Sequence, residues 1–450
     1  MAVVAGVVFF VIRAGLALVP ALASLYPIKK WAAFCALSMA AFYLLLSGAE
    51  VATRRAFIMT AIVLIGVMCD RPALTLRTIA VAAFAVLLLA PEAIVHPSFQ
   101  MSFAATLALI AAYERGLPWL SAAPKTSLGM RIALWGGREV LGLVLASLLA
   151  GLATTLFAAY HFHRLAPYGL ISNLLAMPIV SAWVMPAGLF ALATIPFGFD
   201  GMFWHLMGGG IDWMIAVALW VASLPGAVGR VHAFGVGPVL LASFGLVVIC
   251  LLRSPLRWSG ALLIGVACLG AWRARLPDVL VSYDARIVAV RGPEGRLSFM
   301  STESDDFTVR EWLAADADPR PVRDGTLSQH VRCDDLGCTA PLISGGVVAM
   351  AISAEAFADD CNRAAIVVTQ RQAPPYCKVQ VIDRGVWRPY GAATLTLAGE
   401  AFAITYARPP GYDRPWAKRL PGAGESRAAS PAQAPARDAT PRREDIEARD

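Results

Sequence analysis

Between Val3 and Trp272 the sequence passes through about eleven apolar stretches, most close to the length of a membrane span. At Trp272-Arg-Ala-Arg275 that hydrophobicity stops, and the rest of the chain is polar. No single water-excluding core accommodates such a profile. It predicts a polytopic α-helical membrane protein, with some hydrophobic segments re-entrant or short, followed by a small soluble α/β domain. The bulk numbers agree: 58% of the 450 residues are hydrophobic and 15% charged, and the mean hydropathy is +0.63, outside the range of soluble domains.

Val3 to Leu22, Glu139 to Tyr160, Val236 to Leu252 with its flanks and Trp258 to Trp272 read as spans, at about 20 apolar residues or somewhat fewer each. Ala56 to Met68, Leu76 to Ala90 and Ser102 to Ala112 are short or bounded by prolines and charges. Such segments read as half-helices, which are tolerated where protein or water covers the backbone. The first apolar run has no basic region before it and contains Arg13, so it reads as a span and not a cleaved signal. Lys29/Lys30, Arg54/Arg55, Arg71/Arg77, Arg253/Arg257 and Arg273/Arg275 fall in successive loops, so the positive-inside rule fixes no orientation. The net charge of +7 favours anionic partners, with membrane lipid headgroups served first.

After Arg275, β-branched runs around Gly292-Pro-Glu-Gly295 predict a β-hairpin, and Asp305 to Ala315 predicts a short helix. Further strands are expected at Val347 to Ile352, Ala365 to Thr369, Val379 to Ile382 and Ala393 to Leu397. The boundaries that follow are 1–275 for the membrane part, 276–408 for the soluble domain and 409–450 for a tail. Proline, alanine and mixed charge dominate the tail, which has too little apolar surface to repay ordering. Four of the eight cysteines, Cys333, Cys338, Cys361 and Cys377, fall in the soluble domain. Two disulfides would place the domain in an oxidising compartment, and a thiolate zinc site would place it in the cytoplasm. The spacing lacks paired C-x-x-C knuckles, which weakens the zinc reading, and unpaired buried thiols stand beside the disulfide reading.

Polar residues within apolar text are candidates for function because the bilayer makes them expensive. Ser47-Gly-Ala-Glu-Val-Ala-Thr-Arg-Arg-Ala56 is the densest run. Its small residues allow close backbone approach, and Glu50 and Arg54, four apart, would neutralise each other on a helix; the plain alternative is a loop with Arg54 and Arg55 at headgroups. In Pro91-Glu-Ala-Ile-Val-His-Pro-Ser-Phe-Gln-Met-Ser-Phe103, Pro97 fits a helix first turn, which places Gln100 and Ser102 in early turns facing neighbours. Tyr160 to Pro178 offers Arg164 and Asn173. His161 and His163, two apart, do not share a helix face, so interfacial anchoring is the better reading than a metal site. No nucleophile elbow, phosphate loop or H-E-x-x-H pattern occurs. No cofactor or bound metal is expected, and no enzymatic role.

These runs resemble the competence domain of the ComEC family, inner-membrane proteins taken to form the path for single-stranded DNA in natural transformation. The resemblance rests on Tyr43-Leu-Leu-Leu-Ser-Gly48 with Thr53-Arg-Arg-Ala-Phe-Ile-Met59, on Leu88-Leu-Ala-Pro91 with Ser98-Phe-Gln-Met-Ser-Phe103, and on His163-Arg-Leu-Ala-Pro167 with Ser172-Asn-Leu-Leu-Ala-Met-Pro178. It covers roughly residues 1 to 275 and places Gly48, Arg55, Pro91, Gln100, Ser102, Pro167, Asn173 and Pro178 at motif positions. The implied partners are single-stranded DNA, a DNA receptor and a separate motor protein, since no nucleotide-binding motif is present; a homo-oligomer is compatible with it. Arg55, Gln100 and Asn173 are the natural donors for a phosphate path, and Phe99, Phe103 and Tyr168 would offer stacking.

Family members usually carry a C-terminal metallo-β-lactamase-like domain. Tyr283-Asp-Ala-Arg286 is similar to the first turn of that domain, but His330 is the one histidine after residue 275, where that fold needs several to hold two metals. A degenerate domain without nuclease activity is therefore expected. Relatives have further spans before the point matched by Ala2-Val-Val-Ala-Gly6, which suggests a truncated form. Beside the DNA conduit stand three alternatives: a small-solute transporter, for which no internal repeat is visible, a membrane hydrolase holding metal through the four cysteines, and a non-functional remnant.

Overall fold

A computed structural model describes residues 1–19, 24–71, 75–115, 128–302, 305–399 and 401–409. The chain forms two compact units, Met1–Arg275 and Leu276–Asp450. The last part of the Val3 to Leu22 span and nearly all of the expected tail lie outside the described residues.

The first unit is helical: α1 (Ala2–Ala17), α2 (Ile28–Leu46), α3 (Val51–Met68), α4 (Leu76–Leu89), α5 (Pro97–Glu114), α6 (Leu128–Phe162), α7 (Gly169–Ile179), α8 (Met185–Thr194), α9 (Asp200–Ala222), α10 (Val236–Leu251) and α11 (Trp258–Trp272). Among the described residues, five segments are long and apolar enough to cross a membrane: Ile28–Leu46, Val140–Phe162, Gly169–Phe197, Asp200–Ala222 and Pro255–Trp272. Two expectations are corrected. α3 and α5 each run 18 residues, longer than the half-helices read from the apolar text, because their polar first turns are helical too. Glu50 precedes α3 with an extended ψ of 154°, so it does not share a helical face with Arg54, and the structure shows no ion pair between them.

Small residues mediate the packing, as expected where lipid removes the hydrophobic drive between helices and close van der Waals approach replaces it. Ala5 of α1, Ala33, Ala36 and Ala40 of α2 and Leu64 of α3 form one buried cluster. Ala104, Ala108 and Ala111 of α5 meet Ala153 and Phe157 of α6 and Val239 of α10 in another. α10 and α11 touch through Gly245 and Gly260: a Cβ on Gly245 would lie 2.7 Å from the Gly260 carbonyl oxygen. The end of α5 ties two other helices down. The Glu114 carboxylate accepts the Leu76 N–H (2.9 Å) at the start of α4, and Arg115 donates to the carbonyls of Ile249, Cys250 and Leu252 at the end of α10. Each charge thus faces the helix end of opposite partial charge. Lys30 pairs with Asp70 (2.6 Å) and links the start of α2 to the end of α3. Pro178 sits inside α7 and lacks an N–H; the chain continues through a π-helical turn, Val180–Val184, a common accommodation of a broken helical ladder. Gly210 of α9 lies against that turn, beneath Val184 and Trp183.

Two short strands, β1 (Arg164–Leu165) and β2 (Gly229–Arg230), pair antiparallel and set Arg164 opposite Arg230.

The second unit is a small α/β domain with two five-stranded sheets. One is antiparallel, in the order β12 (Ala401–Tyr406), β11 (Ala393–Ala398), β3 (Val279–Val281), β4 (Ile287–Arg291), β5 (Leu297–Ser301). The other runs β10 (Gln380–Ile382), β9 (Ile366–Thr369), β8 (Val347–Ala351), β7 (Gly337–Pro341), β6 (Arg332–Cys333), with β8, β9 and β10 parallel. Val288 and Val290 from the first sheet and Val348, Met350, Ile366 and Val368 from the second fill one core between them. Each such side chain contributes about 1.5–3 kcal/mol on burial. On the outer face of the first sheet, Ile287, Ala289 and Phe299 pack against Leu313 of α12 (Asp306–Ala315). On the outer face of the second, Ala349, Ala351 and Val367 pack against Phe357 and Cys361 of α13 (Phe357–Arg363). A last helix, α14 (Arg384–Tyr390), leads into β11. The result is a four-layer helix–sheet–sheet–helix sandwich. β4 is buried along its whole length, which is why Ile287-Val-Ala-Val reads as an unbroken apolar run and not an alternating one.

Candidate functional site

α2 ends in a tight reversal. Gly48 and Ala49 both take positive φ, 71° and 52°, and the Ala49 N–H reaches back to the Leu44 carbonyl (3.0 Å). That left-handed pair costs little at glycine and more at alanine. It lets α3 start at Val51, which places Arg54 and Arg55 in its first turns. Cations there oppose the helix macrodipole, so helix stability does not account for them.

Across from this turn, α4 ends at Leu89 and a 3₁₀ turn, Pro91–Val95, leads into α5. His96 is the N-cap of α5, its Nδ1 accepting from the Ser98 N–H (3.2 Å), and Pro97 fills the first helical position. Between these pieces lies a cavity of about 500 Å³ lined by Arg54, Arg55, Glu92, His96 and Phe99, with an apolar remainder that includes Leu44, Val86 and Leu89. Arg55 Nη1 donates to Ser98 Oγ (2.5 Å), joining the starts of α3 and α5. Two helix N-termini and two guanidinium groups converge here, an arrangement that attracts anions.

One turn further along α5, Gln100 joins three elements. Its Nε2 donates to the Ile94 carbonyl (2.9 Å) and its Oε1 lies 2.8 Å from His161 Nε2 at the end of α6. With the amide nitrogen already donating, the oxygen accepts, so His161 carries its proton on Nε2. Beyond His161 the chain leaves the helix at His163 (φ 55°) and enters β1, where Arg164 faces Arg230.

The other expected residues lie elsewhere. Ser102 is half-buried, and its carbonyl accepts from Thr106 Oγ1 (2.8 Å) within α5. Arg164 is exposed in β1, and Asn173 is exposed on α7, outside the cavity lining. Gly48 shapes the turn and does not line the cavity. Glu92, His96 and Ser98 were not chosen as site residues from the sequence, and His161 was read there as an interfacial anchor. The first three sit in the run around Gln100, whereas nothing in the spacing relates His161 to Gln100, 61 residues away.

In the second unit, Cys333 is bonded to Cys338 and Cys361 to Cys377. His330 Nε2 is 3.7 Å from Glu294. Among the described residues, no group of three or more His, Cys, Asp or Glu side chains is placed to hold a metal ion.

Five membrane-length helices, a charged cavity between two helix starts and a following sheet domain define a helical membrane protein with an appended α/β domain. A family model described as Competence protein matches residues 1–256. The chain belongs to the competence protein family. It is similar to ComE operon protein 3 of Bacillus subtilis (strain 168), with 25% identity over 219 residues, 47% of this chain and 25% of that protein. The match thus spans about a quarter of the relative's length. No solved structure matches.

Proposed function

We propose that the chain contributes to the path by which single-stranded DNA crosses the inner (plasma) membrane during natural transformation, as a multi-pass protein. Family membership supports this reading, and the pairing of Arg54 and Arg55 with two helix N-termini around one cavity carries it. A strand moving through a membrane needs donors that engage phosphates irrespective of base, and arginine forks meet that need. Gln100, held between Ile94 and His161, stiffens the α5 start that presents Ser98 to Arg55. Phe99 borders the cavity and packs against Phe103 with tilted rings (4.3 Å between ring centres, 37° between planes); an aromatic ring there suits a passing base. Arg164 and Arg230, opposite each other in β1 and β2 and outside the cavity lining, would offer a separate cationic contact. A DNA receptor, a separate motor and further copies of the chain would complete the machinery. The cavity's apolar remainder favours, as a second reading, transport of a small solute.

In the soluble domain, the sandwich architecture and the single His330 support a degenerate metallo-β-lactamase-like module that does not cut DNA. The deciding experiment is transformation of cells producing Arg55→Ala or Gln100→Ala chains at normal membrane abundance. Loss of transformation is expected. Normal transformation in both, with a defect in solute uptake, would move the assignment to the transporter.

A further inference from the structure

The cavity between α3 and α5 carries one group that phosphate binding does not call for. Glu92 lines it together with Arg54 and Arg55, and a carboxylate in a site that attracts anions lowers affinity for every anion that enters. Nothing local accounts for that charge. Glu92 stands three residues beyond Leu89, the last residue of α4, where the helix dipole disfavours a carboxylate, just as the start of α3 disfavours the two arginines.

Its backbone is fixed. The 3₁₀ turn Pro91–Val95 is closed by the Ala93 N–H on the Ala90 carbonyl (3.0 Å) and by the His96 N–H on the Ala93 carbonyl (3.0 Å). Ala93 is buried among side chains of α4 and α5, and Gln100 Nε2 holds the Ile94 carbonyl (2.9 Å). Glu92 itself is exposed. Among the described residues it makes no ion pair with either arginine. Arg55 is engaged by Ser98 Oγ (2.5 Å), and Arg54 has no hydrogen-bond or ion-pair partner among the described residues.

A carboxylate that served to neutralise its neighbours would close an ion pair with one of them. Beside them and unpaired, it weakens the pull of both guanidinium groups, while two positive charges against one negative keep the cavity attractive to anions. That balance suits a polyanion in transit, for which each contact must be strong enough to form and weak enough to break. We propose that Glu92 sets the release of the strand: it competes with each arriving phosphate for Arg54 and Arg55, so that no phosphate is held and the strand moves on. This role rests on the conduit reading above and adds to it a residue that acts through the arginines and not on the DNA.

The test measures binding and transport separately. The full chain in detergent micelles is titrated against a fluorescent oligothymidine at one fixed salt concentration, and cells producing the same variants at equal membrane abundance are transformed. Glu92→Gln, nearly isosteric, should bind the strand roughly three- to tenfold more tightly and yet transform roughly tenfold less often; a residue needed only for folding would lower both. Glu92→Asp keeps the charge and should fall between the two chains in both readouts. Binding by Glu92→Gln that is unchanged or weaker, or tighter binding with normal transformation, overturns the proposal. Arg55→Ala should weaken binding, so a loss there with no change in Glu92→Gln leaves the conduit reading standing and removes only the role of Glu92. Absence of binding by the unaltered chain sinks both.

Discussion

Arg54 and Arg55 stand where the helix dipole disfavours them, and Arg55 is held by a single hydroxyl, Ser98. If its role is to meet phosphates, Arg55→Ala should lower transformation roughly 10- to 100-fold, the equivalent of one lost charge-assisted hydrogen bond, with membrane abundance unchanged by immunoblot. Ser98→Ala should cost less, since the guanidinium remains. Gln100 and His161 act as one unit, so Gln100→Ala, His161→Ala and the double variant should show nearly equal transformation defects; additive defects would mean that the pair is not coupled. At this scale the sequence was partly legible. Arg55 and Gln100 are visible because polar groups are rare in such text. His161 was read as an interfacial anchor, since its partner comes from another helix through a contact that no local period encodes. Arg164 and Asn173, chosen on the same grounds as Arg55, lie outside the cavity lining, because polarity identifies a candidate without saying which way its element faces.

Among elements, the starts of α3 and α5 matter most, and the apolar pattern alone hid them. A hydropathy reading begins a helix at its first apolar run, whereas α3 begins three residues before Arg54; the start of α5 was legible from Pro97, which fills its first turn as expected. Arg54 and Arg55 therefore stand in the first turns of a helix and line the cavity, where the plain alternative had them in a headgroup loop. The strands of the sandwich were more legible, since runs such as Ile287-Val-Ala-Val are short, β-branched and bounded by turns. β6, β7 and the final β12 were missed: β6 is two residues long, β7 is bounded by Gly337 and Pro341, and β12 shows its alternation only through Phe402, Ile404 and Tyr406. Helix contacts make a separate prediction. Gly245 and Gly260 set the approach of α10 and α11, so Gly260→Val should destabilise that pair by about 1–3 kcal/mol through overpacking, read as a lower melting temperature of the purified protein in detergent. Gly265→Ala, with open space around it, serves as the control and should leave the melting temperature unchanged.

Across the whole molecule, the two units answer to different solvents. The soluble unit carries buried ion pairs of a kind absent from the described residues of the membrane helices: Arg320 with Asp318 (2.6 Å) and Arg291 with Asp316. Burial pushes the Asp318 carboxyl up, but the hydrogen bonds and charge of Arg320 outweigh it and hold Asp318 below the ordinary carboxylate range. A depressed folded pKa means that this stabilisation is present above the unfolded aspartate value of about 3.9 and is lost as pH falls through the folded value. Asp316 has the opposite balance: burial outweighs Arg291 and raises its pKa, so it does not add to that acid loss. Arg320→Ala should remove the main partner of the buried Asp318, at a cost of about 3–5 kcal/mol, seen as faster hydrogen exchange in β5, whose Leu297 carbonyl Arg320 also caps (2.6 Å). The bonded pairs Cys333–Cys338 and Cys361–Cys377 predict that this unit matures on an oxidising side of the membrane. A membrane-impermeant thiol reagent applied to intact cells should label these four cysteines only after reduction with an equally impermeant reductant; labelling without reduction would contradict that placement.

The central claim is that the cavity between α3 and α5 handles DNA phosphates. The most direct test follows fluorescently labelled donor DNA into the cytoplasm of cells lacking the gene and supplied with this chain or its Arg55→Ala variant at equal membrane abundance. The account predicts cytoplasmic signal with the unaltered chain and DNA arrested outside the membrane with the variant. Equal cytoplasmic entry with both chains would contradict it.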